Sequence, residues 1–302
     1  MKIGFIGLGI MGKPMGKNLL KAGHALIICG RNRAVIDEMV AAGAALAASP
    51  REVAQQVELV ITMLPNSPEV KQVVLGPNGV IAGARPGLIV ADMSSIAPLA
   101  SREIAAKLAE VGVEMLDAPV SGGQPKAIEG TLSVMVGGKQ AIFDRCVPVF
   151  KAMAASVVRV GDVGAGNVAK LANQVVVALN IAAVAEALVL ATKAGVEPEL
   201  VFQAIRGGLA GSTVMDAKAP LMLDRKFNPG FRLNLHIKDL TNALETGHQF
   251  GAPLPLTAAV MEIMQALKID DFGDCDHGAI VRYFEKQAKT ELKRSAAAAS
   301  KP

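Results

Sequence analysis

The sequence predicts an α/β domain followed by an all-α domain, with one long helix joining them. Three observations carry that expectation. Short β-branched runs alternate with amphipathic segments through the first half of the chain; a Gly-x-Gly-x-x-Gly turn follows the first run; and beyond a glycine-rich connection at 161–166 only helical patterns remain. At 302 residues the chain exceeds the roughly 100 to 200 usual for one domain. The expected bounds are 1–163 for the first domain and 164–290 for the second, with 291–302 a disordered tail.

Ile3 to Ile6, Ala25 to Cys29, Leu59 to Met63, Leu88 to Asp92 and Glu114 to Asp117 read as strands, being short, apolar and bounded by turn residues. Pro14 to Ala22, Ala34 to Ala42 and Leu99 to Val111 place apolar residues at helical spacing and read as helices between them. That rhythm belongs to a parallel sheet of Rossmann type, which Ser133 to Val136 and Val157 to Val160 are expected to complete. After Gly161-Asp162-Val163-Gly164-Ala165-Gly166 one helical pattern runs from Asn167 to Ala194 and meets its stop signals at Gly195 and Pro198. Such a helix is about 40 Å long, enough to link two domains. It is apolar on most faces and needs cover from other helices or from a second subunit. The pattern stays helical from Glu199 to Lys289, with turns at Gly207-Gly208, Asn228-Pro229-Gly230 and Gly251 to Pro255 and no internal repeat.

Hydrophobic residues make up 51% of the chain, with no Trp and one Tyr, so the cores should be aliphatic and a site of stacked aromatics is not expected. A net charge of +4, with acids and bases interspersed, argues against a nucleic-acid partner. Cys29, Cys146 and Cys275 lie far apart without metal-ligand spacing, which suggests reduced thiols, no zinc cluster and no disulfide framework. The chain opens on a strand-like run without the layout of a signal peptide, and Asn180 and Glu186 interrupt the apolar stretch Val175 to Ala191. Both features point to a cytoplasmic protein and away from a membrane. The tail from Lys289 to Pro302, where Lys293-Arg294 precede an Ala/Ser run, reads as frayed or disordered, with a basic anchor as the alternative.

Gly7-Leu8-Gly9-Ile10-Met11-Gly12 stands between the first strand and the first helix, where a dinucleotide-binding fingerprint is required to stand. There Gly7 permits the tight turn, Gly9 admits the pyrophosphate to the backbone, Gly12 lets helix pack on strand, and the helix N-terminus faces the phosphates. The fingerprint also calls for an acid at the end of the second strand, but the chain reads Cys29-Gly30-Arg31-Asn32-Arg33. Two guanidiniums and an amide suit a 2′-phosphate, so NADP(H) is favoured over NAD(H). The alternative is that Arg31 and Arg33 are solvated surface residues or stack on adenine.

A carbonyl that accepts hydride becomes an alkoxide and needs an acid or a metal. Tyr-x-x-x-Lys chemistry fails, because Tyr283 has Gln287 four residues on, and no Cys/His cluster suggests zinc. His24 and His277 fall in polar turns, His248 on a helix, and His236 in His236-Ile237-Lys238-Asp239 reads as structural more readily than catalytic. Lys170 remains. On a helix Lys170, Asn173 and Gln174 share one face, and a lysine and amides in a Val/Ala/Leu helix are costly unless they face a cleft. A lysine snorkelling from a buried helix is the competing reading.

Four motifs together make the resemblance specific: Gly4-Phe5-Ile6-Gly7-Leu8-Gly9-Ile10-Met11-Gly12, Asp117-Ala118-Pro119-Val120-Ser121-Gly122-Gly123, the Gly164 to Asn173 segment, and Lys238-Asp239-Leu240. With them the chain resembles the β-hydroxyacid dehydrogenase family over all but its last dozen residues, nearest the tartronate semialdehyde reductase branch. The resemblance implies a reversible NAD(P)H-dependent reduction of tartronate semialdehyde to glycerate within glyoxylate metabolism, without a metal. It makes Lys170 catalytic with Asn173 beside it, and gives Ser121, Gly122 and Gly123 to the substrate carboxylate. Taken alone, Ser-Gly-Gly reads as a flexible turn. Leu64, Pro65 and Ser95 would line the cofactor cleft, and Lys238 would reach the cofactor or active site, steadied by Asp239. Gly30 departs from NAD-using relatives, which carry an acid there. A homodimer or homotetramer is the expected assembly. The run Ala204 to Ser212 looks like that of the reductases, a polar, glycine-rich wall for a hydroxylated substrate or else a plain helix connection. A 3-hydroxyisobutyrate or succinate-semialdehyde enzyme, and a dinucleotide-binding scaffold without turnover, are the other readings.

Overall fold

The computed structural model describes residues 1–292 and 294. They form two compact units that divide after Leu171, inside the long helix.

The first unit is built on a nine-stranded sheet. Its elements run β1 (Lys2–Ile6), α1 (Gly12–Lys21), β2 (Ala25–Cys29), α2 (Arg33–Ala41), β3 (Ala45–Leu46), α3 (Pro50–Gln56), β4 (Leu59–Thr62), α4 (Ser67–Leu75), α5 (Val80–Gly83) and β5 (Ile89–Asp92). They continue with α6 (Pro98–Ala109), β6 (Glu114–Asp117), β7 (Val120–Ser121), α7 (Gly123–Glu129), β8 (Leu132–Gly137), α8 (Gln140–Lys151) and β9 (Ala154–Gly161). The first six strands are parallel in the order β3-β2-β1-β4-β5-β6, so the strand order reverses between β1 and β4. A reversal of that kind opens a crevice at the C-terminal strand ends, where the loops after β1 and β4 part to opposite faces.

The strands are buried on both sides, as covered parallel strands must be. Ile3 and Phe5 of β1 pack with Met15 and Leu19 of α1 on one face. Val60 and Val90, from β4 and β5, pack with Val53, Val70 and Ile104 on the other. The cores are aliphatic, in keeping with the composition.

Two features of the sheet differ from the expectation. β8 runs antiparallel to β6, and β7 pairs antiparallel with β8, so the far end of the sheet is mixed; β9 is again parallel to β8. An apolar run carries no mark of its direction, and periodicity could not have shown the reversal. The short β3, β7 and α7 likewise fall below the length at which a repeat can be read.

The second unit is helical: the greater part of α9 (Ala165–Lys193), α10 (Pro198–Ile205), α11 (Thr213–Leu223), α12 (Leu233–Gln249), α13 (Pro255–Ile269), a 3-10 turn at His277–Ile280 and α14 (Val281–Ala288). Ala178, Ile181, Ala185 and Leu188 of α9 form its core with Phe202, Met222, Leu240 and Met264. By length and composition alone α9 could cross a membrane, but these buried residues make it the unit's central helix.

Two further expectations are corrected here. His277 is not in a polar turn; it is buried within the 3-10 turn against His236. The segment after Lys289 is not frayed at its start: Leu292 is fully buried, its N–H donates to Glu285 Oε1 at 2.7 Å, and its carbonyl accepts from Arg225 at 3.1 Å. The Arg225–Glu285 ion pair fixes the acceptor that Leu292 needs. Arg294 pairs with Asp224 and Glu199. Lys293 and residues 295–302 of the expected tail lie outside the described residues.

Candidate active site

The glycine turn after β1 is shaped to receive a dinucleotide. Gly7 has φ +101°, and a Cβ there would lie 2.2 Å from the Met63 carbonyl oxygen; a Cβ on Gly12 would lie 1.9 Å from the Gly7 oxygen. Only glycine fits either position. Gly9 is the opposite case, since a Cβ there would meet nothing within 4 Å. The backbone is bare where a pyrophosphate would approach it. No side chain caps the N-terminus of α1; Lys13 donates its N–H to the Gly9 carbonyl at 3.0 Å and Pro14 has none, so the Gly12 end of the helix is the part that faces an anion. Leu8 and Met11 pack under the turn, while Ile10 is exposed. Across the crevice Leu64 donates its N–H to Ser94 Oγ at 2.8 Å, which fixes the Leu64-Pro65 turn after β4, and Ser95 follows β5 at the same edge.

At the end of β2, Gly30 is followed by exposed Arg31, Asn32 and Arg33. Asn32 caps α2, its side chain accepting from Val35 N at 3.3 Å. Arg33 pairs with Asp37 one turn along the same helix at 2.9 Å. Asn32 and Arg33 thus make contacts within α2, and all three side chains remain exposed at the end of β2.

A row of polar residues lies across the C-terminal strand ends, where Thr62, Asp92 and Asp117 occupy adjacent register positions on β4, β5 and β6. All three are fully buried. Thr62 Oγ1 donates to Asp92 at 2.8 Å, and Asp92 accepts the Ser94 N–H that begins the next loop. Asp117 accepts from the N–H groups of Gly164 at 2.7 Å and Asn167 at 2.8 Å, so it caps the first turn of α9 from outside the helix. Asn167 completes the tie, its Oδ1 accepting from Ile96 N and its Nδ2 donating to Ser101. Gly166 permits the approach: a Cβ there would stand 2.4 Å from the Asp117 carbonyl oxygen.

Lys170 stands one turn beyond Asn167 on α9 and is 6% exposed. A buried lysine needs partners or a purpose. Its seat is held by the Asp117 and Asn167 contacts, which bind this end of the helix to the edge where β5 and β6 end. At the end of β7, Ser121 is followed by Gly122 (φ +134°) and Gly123 (φ +68°). Successive positive φ angles favour glycine, and they leave a backbone stretch without side chains after the Ser121 hydroxyl.

In the second unit Asn173 Nδ2 donates to Gln174 Oε1 at 2.8 Å, and Gln174 Nε2 donates to Asp239 Oδ2 at 2.6 Å. Asp239 Oδ1 pairs with Lys238 Nζ at 2.7 Å. His236 Nε2 bonds the Gln174 carbonyl at 3.2 Å, while His236 and His277 meet through their Nδ1 atoms at 2.9 Å. The sequence pointed to Asn173, Lys238 and Asp239 but not to the role of Gln174 or to His277. It also passed over Asp117 and Asn167 as anchors; an acid ending an apolar strand was the available signal. The run Ala204 to Ser212 does not form a purely polar wall: Ile205 and Ala210 face an apolar cavity of 260 Å³ lined also by Val184, Leu188, Phe202 and Met215. Among the described residues no three His, Cys, Asp or Glu side chains gather as a metal-holding group.

Residues 2–161 match the family model described as the NAD binding domain of 6-phosphogluconate dehydrogenase. Residues 164–284 match that described as NAD-binding of NADP-dependent 3-hydroxyisobutyrate dehydrogenase. The 2-hydroxy-3-oxopropionate reductase of Escherichia coli K12 is 42% identical over 97% of this chain and 100% of its own length. The chain belongs to the β-hydroxyacid dehydrogenase family. It is therefore an NAD(P)-dependent oxidoreductase of hydroxyacids. Members of the family carry different substrate names. The 2-(hydroxymethyl)glutarate dehydrogenase of Eubacterium barkeri is 38% identical over 95% of each chain. The structure of Mycobacterium tuberculosis 3-hydroxyisobutyrate dehydrogenase with L-serine matches with a TM-score of 0.86 at 34% identity, over 93% of this chain and 98% of that one.

Burial pushes the Asp117 carboxyl up to about 6, against the downward pull of the N–H groups it accepts. The folded protein thus holds this proton more tightly than the unfolded chain, and the group's contribution to stability is lost as pH rises from the ordinary carboxylate range through about 6. Measured against Asp117→Asn, which does not titrate, the unfolding free energy of the unsubstituted protein should fall by about 2 kcal/mol between about pH 4 and pH 6.5. Urea unfolding of both proteins across that range measures the difference, and a flat or rising difference contradicts the assignment.

Proposed function

We propose that this enzyme reduces tartronate semialdehyde (2-hydroxy-3-oxopropanoate) to glycerate, reversibly, with Lys170 as the proton donor. The match to the Escherichia coli reductase over 97% of this chain and the whole of that one supports the substrate. The seat of Lys170 supports its role: it is a nearly buried lysine on a helix tied to the C-terminal strand edge.

The turn Gly7 to Gly12 receives the pyrophosphate on bare backbone and the α1 N-terminus, and Leu64, Pro65 and Ser95 line the crevice beside it. When bound, the dinucleotide carries the hydride. Ser121 Oγ and the backbone N–H groups of Gly122 and Gly123 hold the substrate carboxylate, an acceptor that needs donors and no side-chain bulk. Lys170 Nζ bonds the aldehyde oxygen and gives it a proton as the C–O double bond is reduced, which prevents a bare alkoxide from forming. In the reverse direction the neutral amine takes the hydroxyl proton. Asn173, on the same helix face, orients these groups, and Lys238 with Asp239 carries the role that the family resemblance gives them.

NADP(H) is the favoured cofactor in this reading. Gly30 replaces the expected strand-end acid, and Arg31 stands where a 2′-phosphate would be recognised. The exposed apolar residues Val176 and Leu190 on α9 support a homodimer or homotetramer. Three free cysteines fit a cytoplasmic enzyme.

Catalytic efficiencies for tartronate, methylmalonate and succinate semialdehydes, measured under one set of conditions, test the substrate. Tartronate semialdehyde should lead. One methyl group discriminates by only about 1 to 3 kcal/mol, so side activity on the others is expected. A preference of more than about tenfold for either competitor replaces the substrate assignment and leaves the chemistry standing.

Replacing Lys170 by Ala should lower turnover by about two to four orders of magnitude, the usual cost of losing a general acid. Dinucleotide binding, followed by fluorescence titration, should persist. Near-normal turnover in Lys170→Ala would remove the lysine from the mechanism.

For the cofactor, Arg31→Ala should raise the KM for NADPH by roughly tenfold and leave that for NADH within about twofold, because only the phosphate contact is lost. Steady-state kinetics with both cofactors decides it. Equal or better efficiency with NADH in the unsubstituted enzyme would reverse the preference.

A further inference from the structure

The side-chain string Asn173, Gln174, Asp239 and Lys238 has a direction, and hydrogen-bond chemistry forces it. An ionised carboxylate only accepts. Asp239 has Lys238 Nζ on Oδ1 at 2.7 Å and the Gln174 amide on Oδ2 at 2.6 Å, and it is 1% exposed. Gln174 must therefore turn its NH2 group to Asp239, since the flipped amide would set oxygen against oxygen in a site with little water to relieve it. Gln174 Oε1 then faces the other way and can only accept, which obliges Asn173 to present Nδ2 to it, at 2.8 Å. The Asn173 amide is left with its Oδ1 edge turned away from Gln174.

The backbone beneath this string is held as well. His236 Nε2 lies 3.2 Å from the Gln174 carbonyl, which can only accept, so that nitrogen carries the proton. In the neutral ring Nδ1 is then an acceptor and takes the Nδ1–H of His277 at 2.9 Å. Both the main chain and the side chain of Gln174 are thus bound to groups of fixed polarity.

We propose that Gln174 is a positioning residue that sets the hydrogen-bonding direction of Asn173, so that Asn173 meets the reacting groups as an acceptor. This rests on the assignment of Lys170 and Asn173 to the reaction. An acceptor at this position takes a hydrogen from the hydroxyl of the hydroxyacid. It leaves proton delivery to the carbonyl oxygen to Lys170. Asp239 has a second task beside pairing with Lys238, because its negative charge is the origin of the direction.

Three variants separate direction from mere packing. Gln174→Met keeps the volume and removes the relay. It should lower kcat roughly 10- to 100-fold, as misplacement of a reacting group does, with the KM for the dinucleotide within about twofold. Gln174→Glu sets two carboxylates together and should lose turnover to a similar degree. The double variant Gln174→Glu with Asp239→Asn rebuilds the string with the same sense: the new amide donates to the glutamate, whose other oxygen accepts Asn173 Nδ2. Its kcat should stand at least about tenfold above that of Gln174→Glu alone. A packing role predicts no such recovery. Thermal unfolding and dinucleotide titration of each variant show that folded protein is being compared.

Gln174→Met with unaltered kcat, or a folded double variant no faster than Gln174→Glu, overturns the proposal. Neutron diffraction of the unsubstituted protein reads the direction without any substrate: deuterons of the Gln174 amide are expected on the Asp239 side, and finding them on the Asn173 side also overturns it. If the enzyme reduces none of the semialdehydes, the functional reading fails while the neutron result still decides the direction.

Discussion

The Asp117 carboxylate, at the end of β6, accepts the N–H groups of Gly164 and Asn167 and so decides where the long helix begins. A helix start has unpaired donors and partial positive charge, and a buried acid at a strand end has acceptors with no water to meet them. Each satisfies the other. Asn167 adds bonds to Ile96 and Ser101, and Gly166 and Gly137 remove the side chains that would hold helix and sheet apart. The phase of α9 follows from these contacts, and with it the position of Lys170 one turn further on. Burial opposes the charge on Asp117, so the anchor holds because its oxygens are fully used.

The same economy extends along the strand edge. Thr62, Asp92 and Asp117 are the last residues of neighbouring parallel strands; Thr62 bonds Asp92, Asp92 takes the Ser94 N–H of the loop that follows it, and Asp117 takes the start of α9. Parallel strands place all their C-terminal ends on one side, so loops carrying different tasks gather there without any strand having to change direction. The glycines of the first turn complete the arrangement in two ways. Gly7 and Gly12 are dictated by contacts within the protein, Gly9 by the space left outside it. A motif of three identical residues thus contains two different physical requirements.

Shared machinery and separate substrates are compatible in this family. Relatives of 38 and 42% identity span nearly the whole chain and bear different substrate names. Hydride acceptance, carboxylate binding and proton delivery concern groups that every β-hydroxyacid possesses. What distinguishes one acid from another is a methyl, a hydroxyl or a carbon or two of length. A few contacts suffice for that, and they need not disturb the lysine, the glycine turn or the helix anchor.

The amino-acid sequence by itself determined the two-domain order, the strand-turn-helix cofactor motif, the long helix with Lys170 and Asn173 on one face, and the family. All of these are local: they lie in periodicity, in glycine spacing or in short motifs of adjacent residues. The tertiary structure decided the direction of β8, the burial of His277 and Leu292, the local contacts of Asn32 and Arg33, and the anchoring by Asp117. It also decided the sense of the string from Asp239 to Asn173. Asp117 and Asn167 are 50 residues apart, Gln174 and Asp239 are 65, and His236 and His277 are 41. A hydrogen bond depends on distance and on which partner donates, and neither is written in spacing along the chain; both appear only when the fold brings distant residues together.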